Sequence, residues 1–182
     1  MSNIEKQAEL ATNIKLSFRQ RIDYSISEFG YNSIYYWISA FMAVFLTDQM
    51  GIAAGAVSFL TLFVRIFDGI NDPIIGSMAD RSVDKGKGKY KPWVRWGALA
   101  MSLSIIALFA MQASWSYTFK MIYMWVTYLL VTIFSTCCNM PFGALNGVLT
   151  SDSGERAKLS GLRMVFANVG ASWAGLIAVP LI

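Results

Sequence analysis

The chain of 182 residues contains no histidine and only two cysteines, and just 14% of its residues are charged. Without histidine it lacks the commonest general base and the commonest metal ligand, which disfavours triad hydrolases and zinc enzymes. A soluble domain usually carries about 25% charged residues, because its surface must stay hydrated. Here 55% of the residues are hydrophobic. We therefore expect an integral membrane protein that is not an enzyme. We read Cys137 and Cys138 as small packing residues, since neighbours on a helix point about 100° apart.

Five long apolar stretches predict an all-α membrane protein, since a helix needs roughly 20 apolar residues to cross a bilayer. We place the spans at about residues 24–47, 54–78, 94–113, 121–149 and 159–182. Pro141 lies inside the fourth span, where we expect it to interrupt the helix. Residues 1–23 are mixed polar, and they lack the short apolar core and cleavage site of a secretory signal.

Basic residues concentrate in the loops after the second and fourth spans. They are Arg81, Lys85, Lys87, Lys89, Lys91, Arg156 and Lys158. Basic loops stay on the cytoplasmic side, which predicts a cytoplasmic N-terminus in a plasma or bacterial inner membrane. Five spans would then bring Ile182 to the outer face. We expect the chain to be the N-terminal part of a longer polypeptide, and we expect no transport by this part alone.

Three ionisable residues lie in the second span, where charge is costly. Arg65, Asp68 and Asp72 share one helix face, with Asn71 beside them and Pro73 next. A structural ion pair between Arg65 and Asp68 is one explanation. It accounts for one carboxylate and not for two carboxylates one turn apart, which repel each other unless a cation or a proton lies between them. Carboxylate oxygens suit hard cations, so the pattern favours a Na⁺ or H⁺ site.

Polar residues in three other spans are candidates for substrate binding. Glu28 and Asn32 lie one turn apart before a run of aromatic residues, a composition that suits a sugar and also suits the membrane interface. The fourth span combines Thr136 and Asn139 with a proline, and kinked helices often line substrate cavities. Arg163 in the fifth span either reaches for the membrane interface or points into such a cavity.

Several motifs are highly specific in combination. The chain contains RIFDGINDPIIG at residues 65–76, ADR at 79–81 and GKYKPW at 88–93, with FLTD at 45–48 and NMPFGAL at 139–145. This set closely resembles the glycoside–pentoside–hexuronide:cation symporter family of the major facilitator superfamily. The ADR stretch and the glycine before it are also similar to the superfamily's general loop motif.

The resemblance implies a fold of twelve helices in two halves, of which this chain would supply the first five, so that the sixth helix and the C-terminal half are absent. It implies a cation site at Asp68 and Asp72, with Asn71 and Thr136 as neighbours. It implies a sugar site at Asn32, Asn139 and Arg163, to which we add Glu28. Arg65, Asp80 and Arg81 would have structural or gating roles. No organic cofactor is implied.

The resemblance leaves cargo and coupling ion open. Melibiose-type members are similar but have aspartates at the positions of Asn32 and Asn139, so this chain favours neutral or anionic glycosides. The coupling ion is Na⁺ or H⁺, with Li⁺ a further candidate. The expected partners are a sugar or glycoside, the coupling cation, membrane lipid and the second half of the transporter, with no nucleic acid. The alternatives are a transporter of the same fold for a lipid or small anion, and a membrane scaffold subunit that transports nothing.

Overall fold

A computed structural model describes residues 16–84, 86, 88–150 and 152–178. These residues form five α-helices and one π-helical turn, and no strand occurs among them. The helices are α1 (Phe18–Val44), α2 (Ala54–Arg81), α3 (Lys91–Phe109), α4 (Tyr117–Leu149) and α5 (Ser153–Ala178), and the π-helical turn (Phe45–Gln49) follows α1. The prediction of an all-α chain is confirmed.

The helix ends differ from the predicted spans, because polar residues at the ends of apolar runs are helical as well. The first helix starts before the predicted span, at a capping box. Ser17 Oγ accepts a hydrogen bond from the Gln20 backbone N–H, and Gln20 Oε1 accepts one from the Ser17 backbone N–H. The start of that helix therefore falls within the segment 1–23, which the sequence predicts to precede the first span. Residues 1–15 lie outside the described part of the chain, as do the last predicted residues, 179–182.

Pro141 does not interrupt the fourth helix, so that expectation was wrong. The helix runs unbroken from Tyr117 to Leu149 with Pro141 buried in its interior. Gly97 of α3 packs closely beside this stretch, because a Cβ added at Gly97 would lie 2.9 Å from the Cys138 backbone nitrogen and 3.2 Å from the Cys137 carbonyl oxygen. The absence of a side chain at Gly97 therefore lets α3 pack closely against the proline-containing part of α4.

Two turns are shaped by glycine and by an acidic cap. Gly86 and Gly88 in the loop after α2 have φ angles of 81° and 82°, in the left-handed region where glycine costs least. Their backbone N–H groups both donate to Asp84 Oδ1, at 2.9 and 3.0 Å. At the start of α5, the Gly154 and Glu155 backbone N–H groups donate to Asp152 Oδ1. The bonds to Asp84 shape the loop between α2 and α3, and the bonds to Asp152 cap the start of α5.

The chain divides into two compact units, each with its own contacts. Among the described residues, one unit comprises 16–40 and those from 145 onward, and therefore holds most of α1 and all of α5. The other comprises residues 41–144, with α2, α3 and most of α4. In the second unit the side chains of Leu60, Leu108 and Met124 are fully buried. In the first unit, Gly170 of α5 lies against the backbone of Phe29 of α1.

Three of the helices, α2, α3 and α4, are long and apolar enough to cross a membrane, by length and composition among the described residues. The outward faces of these helices are strongly apolar. Exposed side chains on them include Leu62, Ile66, Ile70, Leu103 and Ile106. Such faces fit a lipid environment, in which apolar side chains need no cover from water.

Candidate functional site

The acidic residues of α2 lie in the unit formed by residues 41–144. Asp68 and Asp72 are both half-buried and stand one helical turn apart. Arg65 is exposed, and none of the carboxylates in the described ranges lies within salt-bridge distance of it. The simple ion pair of Arg65 with Asp68 is therefore not formed, and neither carboxylate on this face is paired with that arginine.

Thr136 brings α4 to this acidic face. Its hydroxyl donates to Asp72 Oδ1 over 2.9 Å and also lies 3.2 Å from the carbonyl oxygen of Thr132 on its own helix. Thr136 is only 6% exposed. A buried hydroxyl in contact with a carboxylate of another helix fixes the position of that carboxylate and places a further oxygen beside it.

Asn71 and Pro73 leave two polar groups of α2 available for a ligand. Asn71 is buried, and its Nδ2 has no hydrogen-bond partner in the described structure. Pro73 lies inside the helix and has no amide hydrogen, so the carbonyl of Gly69 loses its usual helical donor. The Gly69 carbonyl was not predicted. A proline four residues after it, inside a membrane span, is the signal that points to it.

These groups have the chemistry of a site for a hard monovalent cation or for a proton. Two carboxylates, a hydroxyl and a carbonyl are oxygen ligands, which Na⁺ and other hard cations prefer. Two nearby carboxylates can alternatively share one proton. Among the residues with described side chains there is no group of three or more His, Cys, Asp or Glu residues.

A second polar cluster lies in the other unit, between α1 and α5. The guanidinium of Arg163 donates to Glu28 Oε1 from both Nε, at 2.9 Å, and a terminal nitrogen. Asn32 Nδ2 donates to Glu28 Oε2 at 3.0 Å. Glu28 is 7% exposed. Burial of a carboxylate is costly unless it is paired, and here each of its two oxygens accepts a hydrogen bond. Three of the four residues predicted for sugar binding are thereby brought together.

The contacts of Arg163 lie within its own unit. It pairs with Glu28, lies over the ring of Tyr24 at 5.6 Å from the ring centre, and has a side chain that is 20% exposed. A cavity of about 200 Å³ adjoins the pair and is lined by Glu28, Ser160, Arg163, Met164 and Ala167. Arg163 therefore lines this cavity together with Glu28.

Asn139, the fourth residue of the predicted sugar set, belongs to the other unit. It is half-buried on α4, three residues after Thr136. Positions three apart are neighbours on one face of a helix. Asn139 is thus close in the helix to the hydroxyl that contacts the acidic residues of α2.

Asp80 and Arg81 are the last two residues of α2, and among the described residues only Asp80 has a hydrogen-bond partner on a neighbouring segment. Tyr90 donates its hydroxyl hydrogen to Asp80 Oδ1 over 2.6 Å. This hydrogen bond, helped by burial and by the negative charge of Asp80, raises the pKa of Tyr90 above its ordinary value. Arg81 is the last residue of the helix and is exposed. Asp80 therefore ties the end of α2 to the residue just before α3.

One buried ion pair is not predictable from local sequence. Arg21 of α1 contacts Glu155 of α5 at 2.6 Å, and Lys158 contacts the other oxygen of Glu155 at 3.2 Å. Glu155 is 4% exposed. Arg21 falls in the polar segment that the sequence places before the first span, so no local signal indicates its partner. Together with Arg163 and Glu28, this pair fastens α1 to α5.

Comparison with known proteins was consistent with these features. The model of a family described as "MFS/sugar transport protein" matches residues 24–182. The inner membrane symporter YicJ of Escherichia coli (strain K12) is 35% identical over 167 residues, which cover 92% of this chain and 36% of the relative. The chain spans about a third of the length of the curated relatives that it matches.

Two further relatives have names that state a sugar cargo. The isoprimeverose transporter of Lactiplantibacillus pentosus is 31% identical over 163 residues, covering 90% of this chain and 34% of the relative. The glucuronide carrier protein homolog of Escherichia coli (strain K12) is 28% identical over 157 residues, covering 86% and 34%. Similarity extends over nearly the whole of the chain in each case.

Proposed function

The chain belongs to the glycoside–pentoside–hexuronide:cation symporter family of the major facilitator superfamily, and we propose from this premise that it acts in cation-coupled uptake of a sugar. It is a multi-pass membrane transport protein and not an enzyme. In the proposed reaction, Na⁺ or H⁺ moves inward and drives the entry of a glycoside, pentoside or hexuronide. The positive-inside rule places its N-terminus and basic loops in the cytoplasm.

The coupling cation binds beside Asp72. The observation that carries this assignment is the hydrogen bond of 2.9 Å from the Thr136 hydroxyl to Asp72 Oδ1, because it joins a buried hydroxyl of α4 to a half-buried carboxylate of α2. Asp68 supplies a second carboxylate one turn away, and the Gly69 carbonyl supplies a neutral oxygen. The buried Nδ2 of Asn71 suits a water molecule carried by the cation, since that donor has no protein acceptor among the described residues.

The sugar binds at the cavity beside Glu28 and Arg163. Glu28 neutralises Arg163 in the structure, so this cavity offers hydrogen-bond donors and acceptors without a net positive charge. Such a surface suits a neutral glycoside or pentoside better than a hexuronide or another small anion, which would compete with Glu28 for the guanidinium. Transport of a neutral sugar is thus favoured over the transport of a small anion. Asn139 remains a candidate sugar ligand on the strength of the family resemblance.

Cation and sugar are coupled because each stabilises the same occluded arrangement of the transporter, so each raises the affinity for the other. A single charge that crosses about 100 mV releases about 2.3 kcal/mol, which is enough for a sugar concentration ratio of roughly fifty. One cation per sugar would therefore suffice for useful accumulation.

The test is uptake of radiolabelled glycosides by cells that express the full-length transporter containing this chain, with NaCl or choline chloride outside and at two external pH values. Asp72→Asn and Asp68→Asn should abolish the stimulation by cation. Asp48→Asn, an exposed acid in the same unit, is the matched control and should keep it. Accumulation that is still cation-stimulated in both the Asp68 and the Asp72 variants would refute the site.

Thermal stability of the purified protein provides a readout that does not need transport. A cation that binds the folded state raises the melting temperature as its concentration increases. We expect Na⁺, or a lower pH if H⁺ is the coupling ion, to stabilise the parent protein and not the Asp72→Asn variant. Absence of any cation effect on the parent protein would favour the scaffold alternative. A response to lysophospholipid and not to sugars would favour lipid transport.

A further inference from the structure

The start of α3 presents two parallel rows of side chains with opposite character. Lys91 and Arg95 are one turn apart, and both are exposed. Pro92 follows Lys91 and Trp96 follows Arg95. These two residues form a second row, about 100° around the helix from the first. Trp96 is 67% exposed. A basic row therefore lies directly beside an apolar row at the end of a helix that is able to cross a membrane.

The apolar row opens into a groove of about 400 Å³ within the unit formed by residues 41–144. Its lining is almost wholly apolar and includes Trp93, Trp96, Gly97, Ala100, Phe134 and Cys137. The groove exists because Gly97 has no side chain and lies against the backbone of α4, while the tryptophans on α3 and Phe134 on α4 form its walls. Its volume is in the range of sites that hold small ligands.

The two side chains of the basic row are available to bind an anion. None of the carboxylates described by the structure pairs with Lys91 or Arg95. Lys89 lies nearby along the chain, with its ammonium 5.1 Å from the centre of the Tyr90 ring. Tryptophan beside basic residues at the end of a membrane helix is the usual composition at the level of lipid headgroups. The phosphate of a lipid and the apolar chain attached to it would meet these two rows together.

We propose that this groove is a binding site for an anionic phospholipid. Lys91 and Arg95 bind the phosphate and headgroup, and an acyl chain lies in the groove against Trp96 and Ala100. A zwitterionic lipid fits the groove but gains less from two unpaired basic side chains. A soluble anion meets the basic row but leaves the groove unused. The site is separate from the proposed cation and sugar residues and does not depend on their function.

Quenching of tryptophan fluorescence by brominated acyl chains measures the occupant directly. The protein is placed in nanodiscs of phosphatidylcholine with a minor fraction of brominated phosphatidylglycerol or, in parallel, of brominated phosphatidylcholine. We expect phosphatidylglycerol to quench more strongly, and we expect the excess to disappear in Trp93→Phe/Trp96→Phe. A basic residue at an anionic lipid surface contributes about fivefold in affinity. Arg95→Gln should thus weaken the preference about fivefold, and Lys91→Gln/Arg95→Gln roughly 25-fold.

Two further variants separate the basic row from the groove and from general charge effects. Arg19→Gln removes a basic residue whose side chain is 92% exposed at the start of α1, and it should leave the preference unchanged. Ala100→Phe fills the groove without changing charge and should reduce quenching by both brominated lipids. Melting temperatures in detergent identify any variant that fails to fold. The charge variants test the proposal even if Ala100→Phe does not fold.

Three different results would overturn the proposal. Equal quenching by the two lipids in the parent protein would mean that the groove meets ordinary bilayer lipid. A preference that survives in Lys91→Gln/Arg95→Gln would place the anionic lipid elsewhere. Loss of the preference in millimolar inorganic phosphate at constant ionic strength would indicate a site for phosphate alone. We expect the preference to persist under phosphate and to be lost in the double variant.

Discussion

The Thr136 hydroxyl donates to Asp72 Oδ1 over 2.9 Å, and this bond joins α4 to the acidic face of α2. Thr136 is buried, so its hydroxyl has no ready alternative among solvent molecules. If Asp72 holds the coupling cation, the hydroxyl has a second role as a neutral oxygen ligand next to the carboxylate. Removal of this oxygen atom should then lower the cation affinity as well as the stability of the fold.

Thr136→Val is the substitution that separates these roles, because it keeps the shape of the side chain. We expect a loss of about 1–3 kcal/mol in unfolding free energy, since an oxygen of the half-buried Asp72 carboxylate loses a donor. We also expect the cation concentration needed for half-maximal stabilisation to rise roughly tenfold, the equivalent of about 1.4 kcal/mol of binding energy. Thermal melts across a NaCl series, and across a pH series, measure both effects.

Thr127→Val is the matched control for that experiment. Thr127 is on the same helix and equally buried, but its hydroxyl contacts only carbonyls of its own helix, at 2.7 Å from Tyr123 and 3.3 Å from Met124. It should change neither the cation series nor the pH series. If both threonine variants respond to cation as the parent protein does, Thr136 is a structural residue.

The ion pair between Glu28 and Arg163 predicts strong energetic coupling between α1 and α5. Removing one partner leaves a largely buried charge without compensation, which costs about 3–5 kcal/mol. We therefore expect Glu28→Gln and Arg163→Met each to lower the melting temperature markedly. The double variant should be more stable than the sum of the two losses predicts, because neither charge remains. Chemical or thermal unfolding in detergent measures the three values.

An exposed ion pair of the same unit is the reference for that cycle. Arg19 and Asp23 are 4.0 Å apart, with side chains 92% and 69% exposed. Exposed pairs contribute about 0–1 kcal/mol, so Asp23→Asn should have little effect. Strictly additive losses at Glu28 and Arg163 would show that the close contact contributes no coupling energy, in contradiction to the structure.

The helices and the acidic face were predictable from the sequence because both depend on local pattern. Apolar runs of sufficient length identify α2, α3 and α4, and the spacing of Asp68 and Asp72 places them one turn apart on any helix. The role of Thr136 beside these acids was implied by the family resemblance and not by spacing, since no local rule relates α2 to α4. The distance between the hydroxyl and the carboxylate comes from the structure.

The close packing of α3 against α4 near Pro141 and the ion pair of Arg21 with Glu155 could not be predicted from local sequence, because both are contacts between helices. Pro141 predicted a break, but α4 continues through it, and the close approach of Gly97 from α3 is a tertiary contact that local sequence does not indicate. Arg21 and Glu155 are 134 positions apart, and nothing in the composition around either residue indicates the other. Local pattern is therefore least informative for residues whose partners lie on another helix.

The close approach of α1 and α5 at Gly170 predicts that alanine is not tolerated there. An added Cβ would lie 2.4 Å from the Phe29 carbonyl oxygen and 3.0 Å from its Cα, and both are backbone atoms that cannot rotate away. The Gly170 carbonyl also accepts a hydrogen bond from Ser33 at 3.0 Å. We expect Gly170→Ala to destabilise the protein by about 1–3 kcal/mol, as overpacking does.

Gly161→Ala tests whether this effect is steric. Gly161 is on the same helix, and no atom of the described residues lies within 4 Å of an added Cβ there. Alanine is up to about 1 kcal/mol more favourable than glycine in a helix, so this variant should be neutral or stabilising. Melting temperatures of the two variants, compared with that of the parent protein, show whether the effect of alanine at Gly170 is steric. Equal behaviour of both would contradict the observed contact of Gly170 with Phe29.

The hydrogen bond from Tyr90 to Asp80 predicts a dependence of stability on pH in the alkaline range. The bond and burial raise the pKa of Tyr90 in the folded state above the ordinary value near 10. Because the folded-state pKa is raised, the stabilisation is fully present below pH about 10 and is lost as the pH rises through the folded-state pKa. Tyr90→Phe should be less stable than the parent protein at neutral pH by about 1 kcal/mol.

The difference between the parent protein and Tyr90→Phe is the informative quantity, since the other tyrosines contribute equally to both. This difference in unfolding free energy should be constant from pH 7 to about 9 and should shrink above about 10. Tyr117→Phe is the control, because Tyr117 is 50% exposed and its hydroxyl has no acceptor among the described residues. Its difference from the parent should stay near zero at neutral pH. If the Tyr90→Phe difference instead grows above pH 10, the raised pKa of Tyr90 does not reflect a stabilising bond from the neutral hydroxyl to Asp80.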